Sequence, residues 1–235
     1  MITDFHTHIL PEMDDGSSCI EESLAMLRME MDQGIQHVVA TPHFYPQYDD
    51  PVHFLKKREM AENRLRNAMR KEQNMPELTM GAEVYFFPGI SESEVLSQLT
   101  IGKNGYILLE MPQSPWKESM YRELENIHLR QGLVPIIAHV DRYISPFRSF
   151  GIPERLAQLP VLVQANAGFF QRAATAPLAF RMLKREQIHL LGSDCHNMKT
   201  RIPNLGRTVE IIRKRLPECA LDQIRRHQDE VLYHV

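Results

Sequence analysis

His6 and His8 stand one residue apart in the opening stretch DFHTHILPEMDDG, which also carries Asp15. Alternate residues of a strand project to one face, so two imidazoles at this spacing can converge on one ion. Alone the pair is ambiguous, because two histidines also sit comfortably on the solvated face of an edge strand. Recurrence changes the reading: His43, Glu83, Glu110, His139, then Asp194 with His196, each stand at or just past a short apolar run. Five imidazoles and four carboxylates exceed the roughly four to six ligands of a single ion, so the set suits two or three divalent ions that share ligands. Ligation by nitrogen and oxygen without thiolate favours manganese, iron or zinc over calcium.

Three such ions against four carboxylates would leave a charge of roughly +2, suited to a phosphate dianion and its more negative transition state. Hydrolysis of a phosphate ester by water is the chemistry this implies. Arg142 in AHVDRY and Arg201 in HNMKTRIP follow strand ends and could clamp the phosphoryl oxygens through forked hydrogen bonds. The plainer alternative for Arg142 is a surface ion pair with Asp141 or Glu154. Phe44 and Tyr45, and also Phe169 and Phe170, could wall a substrate ring or simply fill the core. His37, His53, His128, His189, His227 and His234 stand at no strand exit with partners and are expected on surfaces or strand faces.

Positioning these residues requires strands that all end on one side. The hydrophobic pattern predicts strands over Ile2–Thr7, Gln36–Ala40, Glu77–Val84, Tyr106–Met111, Val134–His139, Val161–Asn166 and Ile188–Gly192. Between them, helices are expected from a Ser18/Glu21 capping box to Gly34, over about 51–72, over 91–98, over 116–130 and over 177–184, with two more over 207–215 and 221–232. The stretch TPHFYPQYDDP, with His43, is predicted to be a loop restrained by its prolines. Alternating strands and helices imply parallel strands joined by crossovers. Seven strands bearing ligands at their carboxyl ends suit an α/β fold of the distorted (β/α)7, TIM-like barrel type. An open doubly wound sheet would instead place its site at one switch point.

The 235 residues carry no linker, repeat or low-complexity tract, so residues 1–235 are expected to form one domain. Net charge is −3, with 24% charged residues, which gives no basic excess for nucleic acid. No signal segment or membrane span is visible, and the three cysteines, Cys19, Cys195 and Cys219, form no Cys-x-x-Cys pair. The expectation is a cytoplasmic monomer without membrane insertion.

The series DFHTHILPEMDDG, TPHF, GAEVY, LLEMP, AHVDRY and GSDCHN resembles the polymerase and histidinol phosphatase (PHP) superfamily, specifically its CpsB/YwqE-like branch of bacterial protein-tyrosine phosphatases. The resemblance runs in order along nearly the whole chain. It implies a distorted barrel holding a trinuclear centre, usually active with manganese, with iron, zinc or magnesium as alternatives. It implies His6, His8, Asp15, His43, Glu83, Glu110, His139, Asp194 and His196 as ligands, and Arg142 and Arg201 as phosphate-binding catalytic groups. The implied substrate is the phosphotyrosine tail of a membrane-associated bacterial tyrosine kinase that controls capsular or extracellular polysaccharide export. Rival readings are a histidinol-phosphate phosphatase, a non-catalytic metal-stabilised regulator of a kinase, and a thiolate phosphatase using Cys195, since CHNMKTR has a Cys-x5-Arg spacing. The last lacks the glycine that a phosphate-cradling loop needs.

Overall fold

The computed structural model describes residues 1–145 and 151–234. Strands β1 (Asp4–Thr7), β2 (His37–Ala40), β3 (His43–Phe44), β4 (Glu77–Met80), β5 (Glu83–Tyr85), β6 (Tyr106–Glu110), β7 (Val134–Ile137), β8 (Leu162–Asn166) and β9 (Leu190–Gly192) pair only in parallel among the described residues. They form a three-stranded sheet, β1-β2-β4, and a six-stranded sheet, β3-β5-β6-β7-β8-β9. An isolated parallel bridge from Thr7 to Cys195 ties β1 to the segment beyond β9. The result is a mixed α/β fold whose parallel sheet curls into a half-barrel.

Helices α1 (Ile20–Asp32), α2 (Pro51–Met69), α3 (Glu118–Gln131), α4 (Ile152–Leu156), α5 (Ala167–Gln171), α6 (Ala176–Lys184), α7 (Leu205–Arg215) and α8 (Cys219–Tyr233) complete the described elements with 3-10 turns over Ile90–Glu92, Glu94–Gln98, Ile101–Lys103 and Val140–Arg142, the first two standing where one short helix is expected. The α1 start departs from the expected capping box: Ser18 donates its N–H and Oγ–H to the Glu22 carboxylate, and the helix begins at Ile20. The Asp50 carboxylate accepts from the His53 N–H at 2.8 Å, capping α2. Successive strand residues divide between two apolar clusters. Leu108 and Ile136 join Phe5, Val39 and Leu190, while Ile107, Leu109 and Ile137 pack among the helices. Both faces of these strands are therefore buried, which is why their sequences read as continuous apolar runs.

Two expected elements break in a way that matters. The strand over 77–84 is β4 and β5, interrupted at Gly81–Ala82, and the expected loop after β2 re-enters the sheet as β3. Pro42 has no N–H, but its carbonyl accepts from Glu83 N at 3.0 Å, while Gly81 N donates to Ala40 O at 2.9 Å. The paired strands thus shift together and resume with His43 directly opposite Glu83.

A candidate metal centre at the carboxyl ends of the strands

All nine expected ligands come together. Four overlapping sets each place one donor atom per residue within 4.8 Å of the others: His8, Asp15, His43 and His196; His6, His8 and Asp194; His6, Glu83 and His139; and His43, Glu83 and Glu110. Glu83 is the hub. Its Oε2 lies 3.0 Å from His6 Nε2, 3.0 Å from His43 Nδ1 and 3.3 Å from His8 Nε2, and its Oε1 lies 2.7 Å from His139 Nε2. Asp15 Oδ1 stands 3.3 Å from His196 Nε2 and 3.5 Å from His43 Nε2, at the solvent edge. Gly192 allows β9 this close to β1, because a Cβ there would meet His6 Cβ at 2.6 Å.

The imidazoles of His6, His8 and His139 are each aimed by a second contact. His8 Nδ1 is 2.7 Å from Asp14 Oδ2, and Asp14 also accepts from the N–H groups of His43 and Gly16. Gln164 Oε1 accepts from His139 N at 2.6 Å and faces His6 Nδ1 at 3.3 Å. Tyr143 Oη accepts from Met111 N and lies 3.2 Å from His139 Nδ1. Asn166 Nδ2 donates to Asp194 Oδ2 at 3.0 Å. Such contacts fix the tautomer and orientation of metal-binding histidines. His139 (φ +31°) and Asp194 (φ +56°) hold left-handed backbone, a strain that non-glycine residues keep only where the surroundings enforce it.

The charges are mutually dependent. Burial disfavours the Glu83 carboxylate, yet His6, His139 and His43 hold it well below the usual carboxylate range. Burial similarly opposes the His8 imidazolium, but Asp14 and Glu83 push it up to about 10. Burial, with the charges of His8 and Arg201, pulls His196 down to about 4. Burial and the Glu83 charge push Glu110 up. Neighbours shifted in opposite directions share charge as one cluster.

A fit to cations is visible in the polar atoms that protein alone leaves unpaired. Glu83 Oε2, His43 Nδ1 and His196 Nε2 are buried and, although 3.0–3.3 Å from neighbouring donor-set atoms, make no hydrogen bond of good geometry. An unsatisfied buried group costs on the order of 1–3 kcal/mol, more when charged, and divalent ions on nitrogen and oxygen donors would relieve all three. At the cluster's edge, Arg142 Nη1 donates to Glu110 Oε1 at 3.2 Å and Nη2 to Asp194 Oδ2, while Arg201 Nη2 donates to Asp194 Oδ1 at 2.7 Å. The alternative partners expected for Arg142 are not used: Asp141 accepts from Asn166 N and pairs with Arg172.

The family profile described as "Capsular polysaccharide synthesis, CpsB/CapC" matches residues 2–233. The chain belongs to this family. Curated relatives include the tyrosine-protein phosphatase YwqE of Bacillus subtilis, 28% identical over 208 residues that cover 84% of this chain and 78% of the relative. The tyrosine-protein phosphatase CpsB of Streptococcus pneumoniae is 26% identical over 227 residues, covering 90% of each chain. A solved structure from work on B. subtilis YwqE and S. pneumoniae CpsB, described as metal-dependent tyrosine phosphatases, superposes with a TM-score of 0.83 at 23% identity, covering 98% of this chain and 94% of that one.

Within this CpsB/CapC chain, the cysteine rival loses its geometry. Cys195 is fully buried, and burial beside Glu30 and Asp4 pushes its thiol up. Asn197 Oδ1 accepts from the N–H groups of Lys199, Thr200 and Arg201, taking amides that a phosphate cradle would need. Phe44, offered by the sequence as a substrate wall or as core, takes the core position against Phe54, with ring centroids 5.0 Å apart, and is not at the substrate side. Alternation along β3 sends it to the face opposite His43. Phe169 and Phe170 are likewise buried. Tyr45 remains beside the centre, its ring 5.0 Å from His43 and 5.8 Å from Tyr85. None of the six remaining histidines joins a donor set among the described residues. Sequence reasoning missed Asp14, Gln164, Tyr143 and Asn166. Gln164 carried a signal, as a polar residue inside an apolar strand; the choice between Asp14 and Asp15 carried none.

Proposed function

We propose that this chain is a metal-dependent protein-tyrosine phosphatase that hydrolyses phosphotyrosine on the tail of a membrane-associated bacterial tyrosine kinase controlling capsular or extracellular polysaccharide synthesis. The observation that carries this reading is the convergence of nine nitrogen and oxygen donors with two arginines at one edge. The names of the YwqE and CpsB relatives support tyrosine phosphatase activity, and the family description supports the capsule context. The donor sets overlap enough for two or three divalent ions, with manganese first and iron, zinc or magnesium as alternatives. Bound there, the ions would supply Lewis acidity and a water activated near neutral pH.

The chain's own part is to bind and orient. His6, His8, Asp15, His43, Glu83, Glu110, His139, Asp194 and His196 hold the ions. Arg142 and Arg201 approach Asp194 from two elements and are placed to grip the phosphoryl oxygens. Tyr45 offers its ring to the substrate ring. We read residues 1–235 as one domain, a cytoplasmic monomer, and the two sheets as parts of one distorted (β/α)7 barrel. The Thr7–Cys195 bridge and the paired breaks at Pro42 and Gly81 support the barrel reading. No helix among the described residues is long and apolar enough to cross a membrane.

The test is the initial rate of phosphate release from a phosphotyrosine peptide before chelation, after EDTA, and after manganese is returned. The expected result is activity that disappears and comes back. Activity that survives complete demetallation refutes the metal-dependent reading, and turnover of histidinol phosphate in preference to phosphotyrosine refutes the substrate.

A further inference from the structure

A cleft of about 370 Å³ opens beside Arg142, between the segment after β6 and the turn after β7. Its described walls include the apolar Trp116, Pro115, Ile144 and Ile152 and the polar Gln113 and Ser145, with Arg142 at the edge shared with the donor cluster. The indole of Trp116 is a fixed surface. Its Nε1–H donates to Pro112 O at 3.1 Å, and its ring packs 5.2 Å from Tyr143 and 5.6 Å from Tyr121. With that N–H satisfied inside the protein, the ring offers a visitor only apolar surface, and it need not be ordered when a ligand binds. Arg142 is the cleft's one charged residue among the described lining residues, and its guanidinium already faces the phosphate side.

We propose that this cleft is a subsite for the apolar side chain, aliphatic or aromatic, of a residue flanking phosphotyrosine in a polypeptide substrate; the proposal rests on the phosphatase reading above. Two features of the fold select this occupant. The cleft is continuous with the phosphate clamp through Arg142, so a chain whose phosphate lies against that residue reaches the cleft within a residue or so. Among the described lining residues Trp116, Pro115, Ile144 and Ile152 give apolar surface, Gln113, Ser114 and Ser145 are neutral, and Arg142 is already held by Glu110 and Asp194, so a charged flank would lose hydration without gaining a free partner there. A free small phosphomonoester would leave the cleft empty. The subsite therefore distinguishes a protein substrate from a metabolite.

Trp116 is the only tryptophan in the chain, so its fluorescence reports the cleft directly. The experiment titrates manganese-supplied protein with peptides carrying a non-hydrolysable phosphonate analogue of phosphotyrosine, flanked by leucine, phenylalanine or alanine. Leucine- and phenylalanine-flanked peptides are expected to perturb Trp116 emission and to bind about tenfold tighter than the alanine-flanked peptide, the scale of one partly buried apolar side chain. Ser114→Phe, which fills the cleft and keeps the tryptophan, is expected to bring that ratio close to one, as is Trp116→Ala read by calorimetry. Equal affinity of the three peptides for the parent protein overturns the subsite, and so does a preference that persists in both variants. Hydrolysis of free phosphotyrosine by the same preparation separates the two claims. If it proceeds while the flank preference is absent, only the subsite fails; if phosphotyrosine is neither bound nor hydrolysed, the phosphatase reading fails with it.

Discussion

Replacing Glu83 by glutamine should change the number of bound ions more than any other single substitution in the cluster. Glu83 belongs to two of the four donor sets and faces four imidazoles between 2.7 and 3.3 Å. Glutamine keeps the volume and one carbonyl oxygen but removes the charge and the second anionic oxygen. Two sets do not include Glu83: the four-donor set of His8, Asp15, His43 and His196, which should survive, and the three-donor set of His6, His8 and Asp194, which has to share His8 with it. Metal analysis after equilibration with manganese should therefore fall from two or three ions per chain to about one. Thermodynamic linkage supplies a second readout. An ion held at a hundred times its dissociation constant stabilises the native state by about 2.7 kcal/mol, so losing two removes about 5 kcal/mol of the stabilisation that metal provides. Denaturant unfolding with and without manganese measures that difference in parent and variant. Full metal occupancy in Glu83→Gln, or an unchanged manganese effect on stability, would refute the assignment of Glu83 as the shared ligand.

Arg142→Ala should lower turnover of phosphotyrosine by about 10²-fold or more while leaving metal content near that of the parent, because its guanidinium donates to the Glu110 and Asp194 carboxylates and offers no donor atom to a cation; equal turnover would remove it from the site. Asp14→Asn should weaken manganese binding by roughly 10–100-fold, since Asp14 fixes the ring of His8 and the backbone of His43, and a metal titration checks this. Away from the centre, His189 accepts from Val163 N at 3.0 Å and lies 4.8 Å from His227; burial and that neighbour pull it down to about 4. Its neutral form is the native one, so its stability contribution is complete above about pH 6.5 and is lost as pH falls towards 4, by up to about 3 kcal/mol. Denaturant unfolding at pH 7 and pH 4.5 should show that part of the acid loss disappear in His189→Asn, and an equal loss in both proteins would count against it.

What could be read in the sequence and what could not divide along a physical line. A strand has a period of two and ends where polar residues begin, so the local pattern marks the strand exits and the donor types standing there. For this reason the nine donor residues that the structure brings together, and the two arginines beside them, were legible one residue at a time, and TPHFYPQYDDP was the main element misread. Two residues of β3 have no period to detect, and they form a strand only because β5 lies beside them. The choice between wall and core for Phe44 was open for the same reason, since its face is fixed by that pairing. The centre's internal order was not local at all. That Glu83 and not Glu110 is the hub, that Asp14 orients His8 while Asp15 joins the donors, and that Gln164 faces both His6 and His139 depend on contacts between residues 25 or more positions apart, or on which way a short turn folds; Tyr143, only four residues from His139, is set beside it by such a turn. The sequence by itself determined which donor atoms the chain offers and that parallel strands deliver them to one side. Only the tertiary structure decided which atoms meet, because the curl of the sheet and the paired breaks at Pro42 and Gly81 set their separations, and no local pattern encodes the distance between strands far apart in the chain.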